Sequence, residues 1–318
     1  MTTVVYDPEV TIALPQLTHS DPEVRRIALI GIADYADEYP ELFVASSRDT
    51  DAGVRLEAAR ALEGSADAAA VNALVDLLSD PDAAVRQAAA ISLSEIQEAS
   101  AGPVLLQCLD DASSSARAAI LAGLRKLRLP QALAPALASL DDARPEVRRE
   151  AVGVLGYLKD AQALPRLGQL VAGDTDEGVR LAAVGALAFA TDDTVLPPLL
   201  AGLSDVDWQV RQEAAVTLGK LLLPGAADGL IAALADVKWE VRLKAANALG
   251  RLKDPRAVPH LAAALAHPIP NLRKEVVSAL GLIGGKDARP ALESALADPD
   301  VDVRKTAARA LETLSAAG

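Results

Sequence analysis

The sequence is poor in the residues that do chemistry. Its 318 positions hold one cysteine, Cys108, one methionine and three histidines, His19, His260 and His267. A single thiol excludes an intrachain disulfide and a thiolate metal cluster. Cys108 falls between Leu105 and Leu109 on an apolar helix face, where a buried structural thiol is expected. Aromatic residues make up only 3% of the chain, so its 51% hydrophobic content comes mostly from Ala, Leu and Val. Small side chains at helix crossings, rather than large rings, must build the core. No apolar run approaches the roughly 18 residues of a membrane-spanning helix. The opening Met1 to Glu9 lacks the basic and apolar regions of a signal peptide. These absences point to a soluble, cytoplasmic protein with no membrane contact.

Positive charge is also short. Lys and Arg number 31 against 44 Asp and Glu, a net charge of -13. That field repels phosphate backbones unless the cations are strongly segregated, which argues against nucleic acid as a partner. No Gly-x-Ser-x-Gly elbow, phosphate-binding loop or dinucleotide fingerprint occurs. Gly284-Gly285-Lys286 lacks the preceding strand that such motifs require and reads as an interhelical link.

What the chain does have is a repeat. Asp205 to Leu221 is restated 31 residues later as Asp236 to Leu252, each carrying Trp-x-Val-Arg and Leu-Gly. The same arginine recurs as Arg25, Arg55, Arg86, Arg117, Arg148, Arg180, Arg211, Arg242, Arg273 and Arg304, at spacings of 30 to 32 residues. A period that regular predicts a solenoid of about ten units forming one domain over residues 1–318. Each unit reads as helix A, a tight turn, helix B and a short link, with no strands.

The ninth unit displays the signals most clearly. Asp254-Pro255-Arg256 places an acidic N-cap and a first-turn proline at the start of helix A. Val258, Leu261 and Leu265 continue it as an apolar stripe, and His267-Pro268-Ile269-Pro270 ends it. Helix B then runs from about Asn271 to Leu282. Along helix B, apolar residues stand one before the arginine and three, four, seven and ten after it, as Val241, Ala245, Ala246, Leu249 and Leu252. That is one continuous helical face. The position seven after the arginine is Ile32 in the first unit and leucine in the other nine, and predicts the core's spine. Glycine often follows, as Gly156, Gly219, Gly250 and Gly281, either to let helices approach or to end helix B. Aspartates six and four residues before the arginine suit a cap and an arginine–carboxylate ladder, expected to fix repeat geometry more than to add stability.

The pattern Asp-x-Asp-Trp-x-Val-Arg-x-x-Ala-Ala-x-x-Leu-Gly, with Asp-Pro-Arg-Ala-Val-Pro-x-Leu in the ninth helix A, resembles HEAT-like repeats of the phycobilisome-lyase type. The resemblance spans about Asp7 to Leu314 and implies an all-α, right-handed α-solenoid of about ten two-helix HEAT-like repeats. It leaves function open, because similar repeats occur in lyase subunits, iron-containing hydroxylases, DNA glycosylases and adaptors.

The residues decide among these. A hydroxylase-like di-iron centre would need His-Glu pairs, and none of the three histidines is followed by Glu. His19 and His267 each take the turn position where other units place Asp, which a polar cap explains, and His260 on helix A reads as a partly exposed packing residue. No catalytic, metal-binding or cofactor-binding residue is predicted. In the groove formed by helix B, Glu57, Glu150, Glu213 and Glu275 oppose Lys126, Lys220, Lys244 and Arg251, and the one basic cluster, Arg125-Lys126-Leu127-Arg128, reads as a solvated helix end.

The middle units carry the small residues Ala122, Gly153 and Gly185 there, with Tyr157 and Phe189 at equivalent positions beside them, an arrangement that suggests a shallow pocket for an apolar anchor. Trp208 and Trp239, both three before the arginine, are expected to stack along the turn edge. The second helix A, Tyr35 to Ser47, is unusually acidic and aromatic, which marks either a contact or drift. The sequence thus predicts a non-catalytic scaffold holding a protein or peptide partner, favouring a basic segment, on Tyr157, Phe189, Trp208 and Trp239. An accessory subunit assisting cofactor attachment to a client is the alternative, and a nucleic-acid enzyme the third reading.

Overall fold

A computed structural model describes residues 5–111 and 113–316. Met1–Val4, part of the opening searched for a leader, lies outside them. Among the described residues all regular structure is helical, and the chain divides into two compact units, Met1–Asp160 and Ala161–Gly318, each an array of stacked helix pairs of the α-solenoid class. The first unit contains α1 (Pro8–Ala13), α2 (Pro22–Gly31), α3 (Pro40–Ser46), α4 (Ala52–Ala61), α5 (Ala68–Leu77), α6 (Ala83–Ser94), α7 (Gly102–Asp111), α8 (Ser114–Leu127), α9 (Leu133–Ser139) and α10 (Pro145–Leu158). The second contains α11 (Leu164–Gly173), α12 (Glu177–Ala186), α13 (Leu196–Gly202), α14 (Trp208–Leu221), α15 (Ala227–Ala233), α16 (Trp239–Leu252), α17 (Val258–Ala264), α18 (Pro270–Ile283), α19 (Gly285–Ala295) and α20 (Val301–Ala316). Odd-numbered helices are the A helices and even-numbered ones the B helices.

The predicted B face is the core. Val210, Ala214, Ala215 and Leu218 on α14, and their counterparts Val241, Ala245, Ala246 and Leu249 on α16, are at most 1% exposed. Nine of the ten spine residues, from Ile32 to Leu280, are buried; Leu311 on α20 is half-buried. Asp254 caps its turn as expected, accepting the Arg256 N–H at 2.9 Å. The chain there first makes a single 3-10 turn, Pro255–Ala257, before α17, as it does at Pro224–Ala226 before α15. Where the fourth unit puts serine in place of acid, Ser113 still caps α8 through the Ala116 N–H.

Gly219, Gly250 and Gly281, which follow the spine residue, serve close approach rather than helix termination. A Cβ on Gly250 would come within 2.7 Å of the Ala279 Cα on α18, and one on Gly219 within 2.9 Å of the Ala248 Cβ. Both lie inside their helices. The left-handed residue that ends the B helix comes three positions later, at Leu222 (φ 56°) and Lys253 (φ 56°).

Candidate partner-binding surface

In repeat after repeat, the recurring arginine ties its own turn to the next through a carboxylate 24 or 25 residues on. In Arg211, Nη1 donates to the carbonyls of Asp205 (2.8 Å) and Val206 (3.2 Å), the two residues that open its own turn. Its Nε and Nη2 then reach the Asp236 carboxylate of the following unit at 2.6 and 2.9 Å. Asp236 also accepts the Lys238 N–H at 2.8 Å, so one carboxylate caps its turn and receives the preceding arginine. Arg25–Asp49, Arg55–Asp80, Arg180–Asp205 and Arg273–Asp298 repeat this fork, and Arg117 pairs with Asp142. Side chains in the five forks are 5–14% exposed, so these pairs are largely buried rather than on the surface. Removing one partner of such a pair strands a largely desolvated charge. The Arg211 fork holds the Asp236 carboxyl below its ordinary range, against the opposing effect of burial.

The predicted anchors come out differently from one another. Tyr157, on α10 in the first unit, is 44% exposed, and the Arg128 guanidinium lies 5.7 Å from its ring centroid. Phe189 stands in the second unit, half-buried in a 3-10 turn, Leu187–Phe189, because α12 stops at Ala186. The backbone equivalence expected of Tyr157 and Phe189 is therefore broken. The small residues are partly covered: a Cβ on Gly153 would meet Arg125 Cδ at 3.0 Å, and one on Gly185 would meet Glu213 Oε1 at 3.6 Å.

Trp208 and Trp239 are the first residues of α14 and α16 and both are half-buried. They do not stack on each other; the Lys238 ammonium lies 6.0 Å from the Trp208 ring centroid. A cation one repeat on thus replaces the ring–ring contact expected from spacing alone.

Several other sequence signals are absorbed by the fold. The basic cluster is engaged within its unit, Arg125 with Glu150 and Lys126 with Glu95, both at 3.2 Å, and Arg128 with the Tyr157 ring. The acidic, aromatic second repeat pairs with the first repeat: Tyr35 donates to Glu9 (2.8 Å), Tyr39 to Asp7 (2.8 Å) and Tyr6 to Glu41 (3.3 Å), with the Tyr6 and Tyr39 rings edge to face at 5.0 Å. The hydrogen bond to Glu9, with burial and nearby carboxylates, pushes the Tyr35 phenol up to about 12. Cys108 is half-buried rather than buried, its thiol 3.6 Å from the Asn72 Oδ1. His19 and His267 are turn caps, each accepting a backbone N–H at Nδ1, from Asp21 (3.0 Å) and Ile269 (3.2 Å). Among the described residues no group of three His, Cys, Asp or Glu is placed to hold a metal ion, and no helix is long and apolar enough to cross a membrane.

What the sequence reading missed is a cleft in the second unit lined by Arg242, His260 and His267. The signal was available: in the 31-residue register, His267 takes the place of the aspartate that would pair with Arg242.

A family model for HEAT repeats matches residues 39–125, 130–219, 196–269 and 227–312. The chain belongs to the HEAT-repeat family. Its HEAT array is similar in fold to a crystallised engineered protein, with 22% identity, 97% of this chain and 99% of that one covered, and a TM-score of 0.54. It is also similar to Kap95p as solved with RanGDP (18% identity, 97% and 50% covered, TM-score 0.64) and in its complex with Nup1 (17%, 98% and 51%, 0.62). The HEAT array spans about half the length of Kap95p, and at these identities the likeness is one of fold. No curated protein sequence matches the chain.

Proposed function

We propose that this HEAT-repeat chain is a non-catalytic scaffold that holds a protein or peptide partner, with Tyr157, Phe189, Trp208 and Trp239 as its anchors. The observation that carries the reading is the exposed Tyr157–Arg128 pair: tyrosine, tryptophan and arginine are the residues on which binding energy concentrates at protein interfaces. A surface already built on rigid helices lowers the ordering cost of association. Kap95p, a structural neighbour, is described with the protein partners RanGDP and Nup1, which agrees with this use of the fold. The net charge of -13 favours a basic segment in the partner. The repeat motif further supports placing the units with the phycobilisome-lyase type of HEAT-like repeat.

Capture from source-cell lysate with wild-type protein and a Tyr157→Ala/Phe189→Ala variant tests the reading. A protein retained by the wild type and lost from the variant is expected, with the two baits melting alike. Identical retained sets would remove both rings from the interface.

A further inference from the structure

Among the described residues of the second unit, the ladder is interrupted at Arg242. Arg180, Arg211 and Arg273 each use Nη1 on turn carbonyls and keep Nε and Nη2 for a carboxylate 25 residues on. For Arg242 the residue 25 on is His267, which has no carboxylate to offer. Its guanidinium is turned over, so that Nε donates to the Asp236 carbonyl. Among the described residues neither terminal nitrogen of Arg242 has a hydrogen-bond or ion-pair partner. The side chain instead lines a solvent-open cleft of about 490 Å³, within the size range of small-ligand pockets.

The cleft's other walls say what would fit. Ile231, Leu234, Ala263 and Leu272 make one side apolar, and His260 and His267 add imidazoles. Because the His267 Nδ1 accepts the Ile269 N–H, the neutral ring carries its proton on Nε2 and is a further donor. Burial, helped by the charges of Arg242 and Arg273, holds its pKa down, so the ring is neutral at pH 7 and adds no second cation. A single planar guanidinium beside apolar walls suits one planar monoanion, and the surrounding excess of acid disfavours more highly charged ones.

We propose that this cleft binds a carboxylate carried on a short apolar group, Arg242 receiving it on its two terminal nitrogens, while Ile231, Leu234 and Ala263 hold the apolar part. Peptides supply that chemistry in two ways, through a chain terminus ending in an aliphatic residue or through an acidic side chain beside one. The site is independent of the aromatic anchors and stands whether or not they bind a partner.

Titration of the full chain with N-acetyl-Leu-Leu as free acid and as amide, with N-acetyl-Leu-Asp-amide and with inorganic phosphate tests it, followed by calorimetry or by NMR of the His260 and His267 rings. The expected result is that the free acid binds about tenfold or more tightly than its amide, as loss of a charged hydrogen-bonded contact requires. Binding of the Leu-Asp-amide as well would make an acidic side chain a second source; its failure would leave a chain terminus. Arg242→Gln should abolish binding. His267→Asp should abolish it too, with Arg242 still present and the melting temperature at or above that of wild type, because the new carboxylate closes the rung. The proposal is overturned if acid and amide bind alike or neither binds, if phosphate binds as tightly as the acid, or if His267→Asp retains the ligand.

Discussion

At the scale of single residues, Asp236 shows how few groups hold the repeat together. Its carboxylate receives the fork of Arg211 and caps the Lys238 N–H, while its carbonyl receives Arg242. Asp236→Ala should cost about 2–3 kcal/mol, the range for a charge-assisted hydrogen bond whose partner is left unsatisfied; urea unfolding at pH 7 measures it. The pH dependence follows from the same fork. Because the folded carboxyl titrates below its unfolded value of about 3.9, its stabilisation is complete above that value and is lost as pH falls through the folded one. Below about pH 4, wild-type protein should therefore lose stability more steeply than Asp236→Asn, and parallel acid-side profiles would contradict the assignment. The arginine and its aspartates were legible as a ladder in the sequence. Their burial was not, because it depends on how closely each turn sits on the next.

At the scale of helices, packing decides what a small residue does. Gly250→Ala would drive a methyl against the Ala279 backbone and should destabilise by about 1–3 kcal/mol, despite alanine's higher helix propensity. Gly185→Ala on α12 meets only an ordinary 3.6 Å contact with Glu213 and should be neutral or stabilising by up to about 1 kcal/mol. Thermal melts of the two variants moving in the same direction would refute this division.

Leu218→Ala should open a core cavity costing about 2–5 kcal/mol, whereas Tyr157→Ala, at a side chain 44% exposed, should leave the melt nearly unchanged. The helices themselves were legible from apolar spacing, and helix B of the ninth unit ran to within a residue of its expected ends. The left-handed ends at Leu222 and Lys253 were not, since neither residue is the glycine or asparagine that usually announces one. The early end of α12, which moves Phe189 into a turn, likewise has no local signal in Gly185-Ala186-Leu187.

At the scale of the whole molecule, a 31-residue period was enough to give the HEAT architecture, because stacking neighbours is the only way each two-helix unit can bury its apolar face. Partner choice is written elsewhere, in the departures from the period. Some departures proved internal: the tyrosines of the second repeat bond the first repeat, and the basic cluster at the end of α8 is paired. The histidine at position 267 looked equally bland as a turn cap, which it is, yet it also leaves Arg242 without a carboxylate. That consequence appears only when the residue is read against the preceding unit's arginine.

Labour is divided between the arginine–aspartate ladder, which holds the array, and the aromatic anchors proposed to hold a partner, of which Tyr157 is the exposed one. Melting and partner capture on the same preparations of Asp236→Asn and Tyr157→Ala test this division most directly. Asp236→Asn should melt lower but, well below its melting temperature, capture the wild-type set of proteins, while Tyr157→Ala should melt like wild type and lose a captured protein. The reverse pattern, or equal effects of both substitutions on both measurements, would contradict this division.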